Sequence, residues 1–170
     1  PNIRKDFVVT DKADGERRLM FIDPKGRIYL IDTNMSVIFT GAITELKQCF
    51  NSLFDGELIL HNKNKQFINL YAVFDAYFMN GIDVRQLKFM LDLDVDDDKV
   101  NYRYKFVKNM IYLLNPISVV KEESSPMTFR AKKFYPETIS STSDNGLSIF
   151  AGCKHILDKE HNGLFEYETD

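Results

Sequence analysis

A run near the start of the chain, Lys12 to Arg17 with the sequence KADGER, combines residue types that can hold a ligand. It follows the segment Phe7 to Thr10, which reads as a short buried strand, and a lysine at such a junction can be held against a ligand. Gly15 permits a close approach of the backbone, and Arg17 supplies a planar fork of N–H donors. The run therefore indicates a ligand site; the alternative is a polar turn with Lys12 as an ordinary surface cation.

Two later segments make this run more specific. Phe54 to Ile59 (FDGELI) places an acid, Glu57, at the head of a strand, and Val73 to Gly81 (VFDAYFMNG) is an aromatic-rich strand that ends in a turn. A Lys-x-Asp-Gly match alone arises by chance in roughly a few per cent of chains of this length. The three segments in this order are therefore much more informative than the first one alone.

The elements that must position these segments are predicted to be hairpins, because apolar-rich runs alternate with polar turns. Asp23-Pro24-Lys25-Gly26 suits a type I turn, with proline second and glycine fourth. The polar stretch from His61 to Gln66 predicts another turn. The strands predicted around these turns are Arg18 to Asp23, Arg27 to Asp32, Val37 to Phe39, Glu57 to Leu60 and Phe67 to Tyr77.

Two helices are predicted in the second half of the chain. Apolar residues at steps of three and four predict an amphipathic helix that ends at Asn115-Pro116. A last helix is predicted from about Asp144 to Lys159. The apolar residues of the first helix are Tyr102, Phe106, Met110 and Leu113, with Val107, Ile111 and Leu114 beside them. In the second helix, the residues predicted to face inward are Leu147, Phe150, Cys153 and Leu157.

Between these helices, Met127 to Tyr135 alternates basic and apolar residues, which predicts a strand with Arg130 and Lys132 on one face. Strands and helices are mixed without a regular βαβ rhythm, and hairpins predominate. The predicted class is therefore α+β, with mainly antiparallel sheets and flanking helices.

Composition and charge exclude several classes of protein. The 170 residues suffice for one domain, and 44% hydrophobic with 28% charged residues is a globular composition. No run of eighteen apolar residues and no signal peptide is visible, so no membrane association is expected. The net charge of −3 argues against a domain that coats nucleic acid, although a local cationic groove stays possible. The chain begins at Pro1 and ends at Asp170, and we expect it to be a piece of something longer.

No dedicated metal site is predicted from cysteine or histidine spacing. The three histidines are scattered, and Cys49 and Cys153 lie far apart, so reduced intracellular thiols are expected. Asp92 to Asp98 carries five aspartates in seven positions. A solvated loop is the simpler interpretation of this run; a metal-binding loop is the alternative, and the spacing fits no EF-hand.

The three segments resemble motifs I, III and IIIa of the covalent nucleotidyltransferases, which include mRNA capping guanylyltransferases and the ATP- and NAD-dependent polynucleotide ligases. For motif IV, an acid followed by glycine and apolar residues, Tyr167-Glu168-Thr169-Asp170 fits better than Asn162-Gly163-Leu164-Phe165, which lacks the acid. The resemblance implies a single nucleotidyltransferase (DNA ligase/mRNA capping enzyme) catalytic domain over residues 1–170. This domain would be partial, ending inside motif IV and before motif V and the OB-fold domain.

Further details resemble the capping enzymes of large cytoplasmic DNA viruses: the run Lys12 to Ile22, the Asn80-Gly81 turn and the following Asp83-Val84-Arg85. The resemblance implies an mRNA guanylyltransferase with GTP as substrate and the 5′-diphosphate end of RNA as acceptor. It also implies RNA triphosphatase and methyltransferase domains on the same or an associated chain. The implied location is the host cytoplasm or the virion.

The resemblance implies roles for individual residues of the first motif. Lys12 would attack the α-phosphorus of GTP and form a lysyl-GMP intermediate, which requires that its amine lose the proton that a free lysine carries at neutral pH. The GMP would then pass to the RNA end to make the cap. Arg17 would contact the ribose and phosphate, Arg18 would be structural, and Asp14 would hold the loop.

Four further residues complete the implied site. Glu57 would orient the ribose hydroxyls and help to hold a metal, Phe74 would stack on the purine, and Lys132 would reach the base or the phosphates. Asp170 would coordinate or position Mg²⁺ or Mn²⁺, which is needed because charge builds on the pyrophosphate. The simpler alternatives are a solvated glutamate, a core phenylalanine and a cationic surface stripe.

Two other functions stay open at this point. A polynucleotide ligase adenylation domain would use the same Lys12 chemistry with ATP and a nicked strand. A catalytically silent derivative of the fold would serve as a binding or scaffold domain.

Overall fold

A computed structural model of the chain describes residues 7–91, 99–120, 125–136 and 149–169. The acidic run from Asp92 to Asp98 lies outside the described residues. Within them the chain forms ten strands, two α-helices and one short 3₁₀ turn. In chain order the elements are β1 (Val8–Val9), β2 (Glu16–Ile22), β3 (Arg27–Ile31), β4 (Val37–Ile43), the 3₁₀ turn (Lys47–Cys49), β5 (Ser52–His61), β6 (Phe67–Met79), β7 (Ile82–Asp83), α1 (Arg103–Leu113), β8 (Ile117–Ser118), β9 (Thr128–Ala131), β10 (Tyr135–Pro136) and α2 (Ile149–His161).

Most of the strands belong to one large sheet. Its order is β7-β6-β5-β2-β3-β4-β8, and β9 also pairs with β6. Neighbouring strands are antiparallel, except that β9 runs parallel to β6. The short strands β1 and β10 form a separate antiparallel pair. This confirms the predicted α+β class with mainly antiparallel sheet.

Both predicted hairpins are present. The β2–β3 turn is closed by a hydrogen bond from the Gly26 N–H to the Asp23 carbonyl at 3.0 Å. The Asp23 carboxylate also accepts the N–H groups of Lys25 and Arg27, at 2.8 and 3.0 Å. The second hairpin joins β5 and β6, and β4 is the predicted third strand beside β3. Local turn chemistry thus fixes the two hairpins that carry most of the sheet.

The main core contains residues from the sheet and from α1. Its fully buried sheet side chains include Met20, Ile22, Ile28, Phe54, Tyr71 and Val73.

Helix α1 agrees with the predicted apolar pattern except at one position. Tyr102, Val107, Met110 and Leu114 are buried, whereas Leu113 is 49% exposed, and Tyr104, which the pattern did not include, is buried as well. The hydroxyl of Tyr104 donates to the Lys132 carbonyl at 2.7 Å, and its ring packs edge-on against Phe134 at 5.1 Å. These contacts of Tyr104 orient the helix, and a pattern of apolar spacing alone could not reveal them.

Two predicted strands are shorter than expected. The segment from Phe7 to Thr10 forms only β1, which is half-buried, and Phe7 is 44% exposed. The predicted strand from Met127 to Tyr135 is split into β9 and β10. The split occurs because β9 pairs with β6, whereas β10 pairs with β1 in a different sheet.

Helix α2 also differs from its prediction in bounds and orientation. It is described from Ile149 to His161, so the predicted start and Leu147 lie outside the described residues. Phe150 and Leu157 were predicted to face inward but are 53% and 67% exposed, while the buried residues are Ile149 and Gly152. The helix packs against β1 and β10, and a glycine rather than a large apolar side chain faces that contact.

Replacing Gly152 by alanine is therefore expected to destabilise the protein. A Cβ at this position would lie 2.7 Å from Tyr135 Cβ and from Val9 Cγ1. In an uncrowded helix the same change would stabilise by about 1 kcal/mol, but overpacking here should lower the free energy of unfolding by about 1–3 kcal/mol. Urea unfolding measures the change, and Lys154→Ala on the exposed side of α2 is the control. A more stable Gly152→Ala variant would contradict this packing.

Both cysteines are thiols rather than partners in a disulfide. Burial raises the pKa of the Cys49 thiol to about 11, so it stays protonated at neutral pH. Among the described helices, neither is long and apolar enough to span a membrane.

Candidate functional site

The segment that carries Lys12 is anchored by the backbone on its C-terminal side. Ala13 is buried and pairs with Thr169 in an isolated antiparallel bridge. The Asp14 N–H donates to the Glu168 carbonyl at 2.9 Å. Side chains alternate in this extended stretch, so both neighbours of Lys12 are buried and the Lys12 side chain is exposed. The backbone is held while the lysine side chain stays accessible to a ligand.

Lys132 is a buried cation held between two carboxylates. Its Nζ lies 3.8 Å from Asp11 Oδ2 and 3.7 Å from Glu57 Oε2, and its side chain is only 6% exposed. The backbone N–H of Lys132 donates to the Val73 carbonyl at 2.7 Å. A buried ammonium needs such partners because desolvation of an unpaired charge is costly. These three residues, Asp11, Glu57 and Lys132, form one ion-pair cluster. They lie directly before Lys12, on β5 and directly after β9.

Tyr167 completes this cluster from the segment that follows α2. Its hydroxyl donates to Asp11 Oδ2 at 2.9 Å, and it packs against a small buried group that includes Ala13. Burial, reinforced by the charge of Asp11, raises the pKa of Tyr167 above its usual range. The hydroxyl therefore remains a hydrogen-bond donor at neutral pH.

Glu57 on β5 is the residue at which the other site elements converge. It is the cross-strand partner of Arg17 and contacts Lys132. Gly15 packs so closely that a Cβ there would lie 2.8 Å from Glu57 Cγ and 2.8 Å from the Leu58 carbonyl oxygen. The sequence predicted that Gly15 permits a close approach, and the structure shows that the approach is to β5.

Arg17 is bound by a buried carboxylate that the sequence analysis missed. Its Nε and Nη2 donate to the two carboxylate oxygens of Asp55 at 3.1 and 2.6 Å, and Tyr77 also donates to Asp55, at 2.6 Å. The Asp55 side chain is 1% exposed, whereas that of Arg17 is 64% exposed. The hydrogen bond to Asp55 raises the pKa of Arg17 above its usual range. The guanidinium group of Arg17 is therefore fixed on the side that faces Asp55, and its exposed side is open to a ligand.

Phe74 lies in β6 at a β-bulge, and it is half-buried. A bulge changes the direction of a side chain relative to a regular strand. Phe74 directly follows Val73, whose carbonyl accepts the Lys132 N–H. The structure thus brings the backbone of Phe74 next to the cluster of Glu57 and Lys132.

The predicted metal ligands are only partly described. Asp170 lies outside the described residues. Within the described ranges, no group of three or more histidine, cysteine, aspartate or glutamate side chains converges on one point. Glu57 provides one carboxylate, which fits a Mg²⁺ ion bound mainly through substrate phosphates and water.

Two arginines near these residues have other partners. Arg18 pairs with Glu16 and with Asp32, the latter at 3.2 Å. Arg130 is exposed and pairs with Glu166 at 2.6 Å. The ion pairs of Arg18 agree with its predicted structural role, whereas no pattern in the sequence indicated that Arg130 pairs with Glu166.

A cavity of about 260 Å³ opens beside the ion-pair cluster. Asp11, Lys132 and Tyr167 line it together with residues of β9, β10, α2 and the segment after α2. The sequence analysis missed the side chains of Asp11 and Tyr167 as parts of the site. Tyr167 could have been found from its place in the segment assigned to motif IV, three residues before Asp170.

Comparison with known proteins gives a consistent result. The family model described as mRNA capping enzyme, catalytic domain, matches residues 3–158. A probable mRNA-capping enzyme of Acanthamoeba polyphaga mimivirus is 39% identical over 79 residues, which are 46% of this chain and 6% of that protein. An mRNA-capping enzyme of Danio rerio is 30% identical over an alignment of 139 residues, and the alignment covers 76% of this chain and 21% of that protein. The chain thus spans a minor part of the length of these relatives.

The family model covers most of the chain and includes all three motif segments, together with Glu57 and Lys132 of the ion-pair cluster. The chain therefore belongs to the family of mRNA capping enzyme catalytic domains.

Proposed function

We propose that this chain is the nucleotide-binding core of an mRNA guanylyltransferase, in which Lys12 takes GMP from GTP and passes it to RNA. The observation that most supports this is the convergence on Glu57. Arg17 is its cross-strand partner, Lys132 contacts its carboxylate, and Gly15 of the Lys12 segment packs on it. Two cations at the residue on which the Lys12 segment packs suit a triphosphate substrate.

The first step would join GMP to the enzyme. The unprotonated Nζ of Lys12 attacks the α-phosphorus of GTP and forms a P–N bond, and the amine proton passes to solvent. The bond from the α-phosphorus to the oxygen that bridges to the β-phosphate breaks, and pyrophosphate leaves with the bonding electrons. Arg17 and Lys132 would stabilise the negative charge that is spread over the phosphate oxygens.

The second step would transfer GMP to RNA. An oxygen of the terminal phosphate on a 5′-diphosphate RNA end attacks the same phosphorus. The P–N bond breaks, the Lys12 amine takes up a proton, and the product is a GpppN cap. Lys12 is thereby regenerated for another turnover.

Other residues would bind and orient the nucleotide. Glu57 would accept hydrogen bonds from the ribose hydroxyls, and Phe74 would stack on the guanine. A divalent cation, held by GTP phosphates with Glu57 and with Asp170, would supply positive charge for the departing pyrophosphate.

The test is covalent labelling of the protein at its full native length. It is incubated with α-³²P-labelled GTP or ATP and Mg²⁺ or Mn²⁺, and then run on a denaturing gel. We expect label from GTP. Label from ATP alone would replace this proposal with the polynucleotide ligase reaction, and no label from either nucleotide would favour a silent derivative of the fold.

A further inference from the structure

We propose that the cavity beside the ion-pair cluster is the binding site for the 5′ end of the acceptor RNA, which it holds as a single strand. The inference rests on the proposed function, because the bound end must reach the GMP carried by Lys12.

The charge of the cavity favours a polyanion. Four cationic side chains and two carboxylates line it, in a chain whose net charge is −3. Two of the cations are already paired, Lys132 with Asp11 and Glu57, and Arg130 with Glu166. The other two, Lys133 and Lys159, have aromatic rings as their neighbours among the described residues, so that their charge is available to phosphates.

Each of these two lysines lies beside an aromatic ring. The Nζ of Lys133 lies 5.2 Å from the centroid of the Tyr135 ring, and the Nζ of Lys159 lies 5.3 Å from that of Phe165. Such contacts hold an ammonium group against the wall of a cavity. Flat rings beside cations are the combination with which proteins bind single-stranded nucleic acid, through base stacking and phosphate contacts.

The position of the cavity suits an acceptor. Asp11, which lines it, directly precedes Lys12. The Thr10 hydroxyl donates to the carbonyl of Lys133 at 2.7 Å, which joins the rim of the cavity to the segment that leads to Lys12. An RNA end in the cavity would therefore border the segment on which GMP is carried.

The test compares two double variants with the same loss of charge. Lys133→Gln with Lys159→Gln removes the two cations of the cavity. Lys25→Gln with Lys47→Gln removes two exposed lysines elsewhere and is the control. For both we measure fluorescence anisotropy with a 3′-labelled 5′-diphosphate single-stranded RNA over a range of salt, covalent labelling by GTP, and GMP transfer to RNA. Circular dichroism establishes that each variant is folded.

In the cavity variant we expect RNA binding to weaken about tenfold, and the slope of log affinity against log salt to fall by about 1.4. GMP transfer should fall with it, while labelling by GTP stays within about twofold of the wild type. The control should match the wild type.

Unchanged RNA affinity in the cavity variant, or an equal loss of affinity in the control, would overturn the inference. A loss of GTP labelling in parallel with RNA binding would also overturn it, because the cavity would then bind GTP. A wild type that is not labelled by GTP, but whose RNA affinity depends on these two lysines, would reject the proposed function and leave the RNA site supported.

Discussion

Replacing Lys12 by alanine or by arginine is expected to reduce covalent labelling by GTP to below detection. Alanine removes the nucleophile, and arginine keeps the positive charge but stays protonated, so that it cannot attack phosphorus. The measurement is autoradiography of a denaturing gel after incubation with α-³²P-labelled GTP. A P–N bond further predicts that the wild-type label is lost in acid and retained in alkali.

A matched lysine and a folding measurement complete this test. Lys25 is exposed in the β2–β3 turn, and Lys25→Ala should leave the labelling unchanged. The side chain of Lys12 is exposed as well, so its replacement should change the free energy of unfolding by no more than about 0.5 kcal/mol. Persistent label in a folded Lys12→Ala variant would show that another residue is the nucleophile.

The hairpins could be predicted because their signals are local. Asp23, Pro24 and Gly26 lie within one turn, and the hydrogen bonds that close it join residues at most four apart. The pairing of β2 with β5 joins two strands that are separated in the chain by β3, β4 and the 3₁₀ turn. No local pattern encodes that register, so the sequence could not show that Arg17 lies opposite Glu57.

Lys132 illustrates what the sequence left open in the site. Alternation of basic and apolar residues is equally compatible with a solvated cationic stripe and with a buried charge. Its burial depends on Asp11 and Glu57, which come from distant parts of the chain. The same holds for Asp55, to which the sequence analysis gave no role but which accepts two hydrogen bonds from Arg17. Long-range ion pairs, rather than motifs, determine how these side chains are placed.

Replacing Arg17 by alanine is expected to lower both stability and labelling. The change leaves the Asp55 carboxylate, 1% exposed, without its bidentate partner. Removing one member of a fully buried pair costs about 3–5 kcal/mol. Because Arg17 itself is 64% exposed and water can enter, we expect a loss of about 2 kcal/mol in the free energy of unfolding, measured in urea.

A second substitution separates the two roles of Arg17. Asp55→Asn in the Arg17→Ala background removes the unpaired buried charge, so most of the lost stability should return. Labelling by GTP should not return, because the guanidinium that would contact the ribose and phosphate is still absent. Recovery of labelling together with stability would show that Arg17 acts only by neutralising Asp55. Failure to regain stability would show that the loss in Arg17→Ala does not come from the unpaired charge of the buried Asp55 carboxylate.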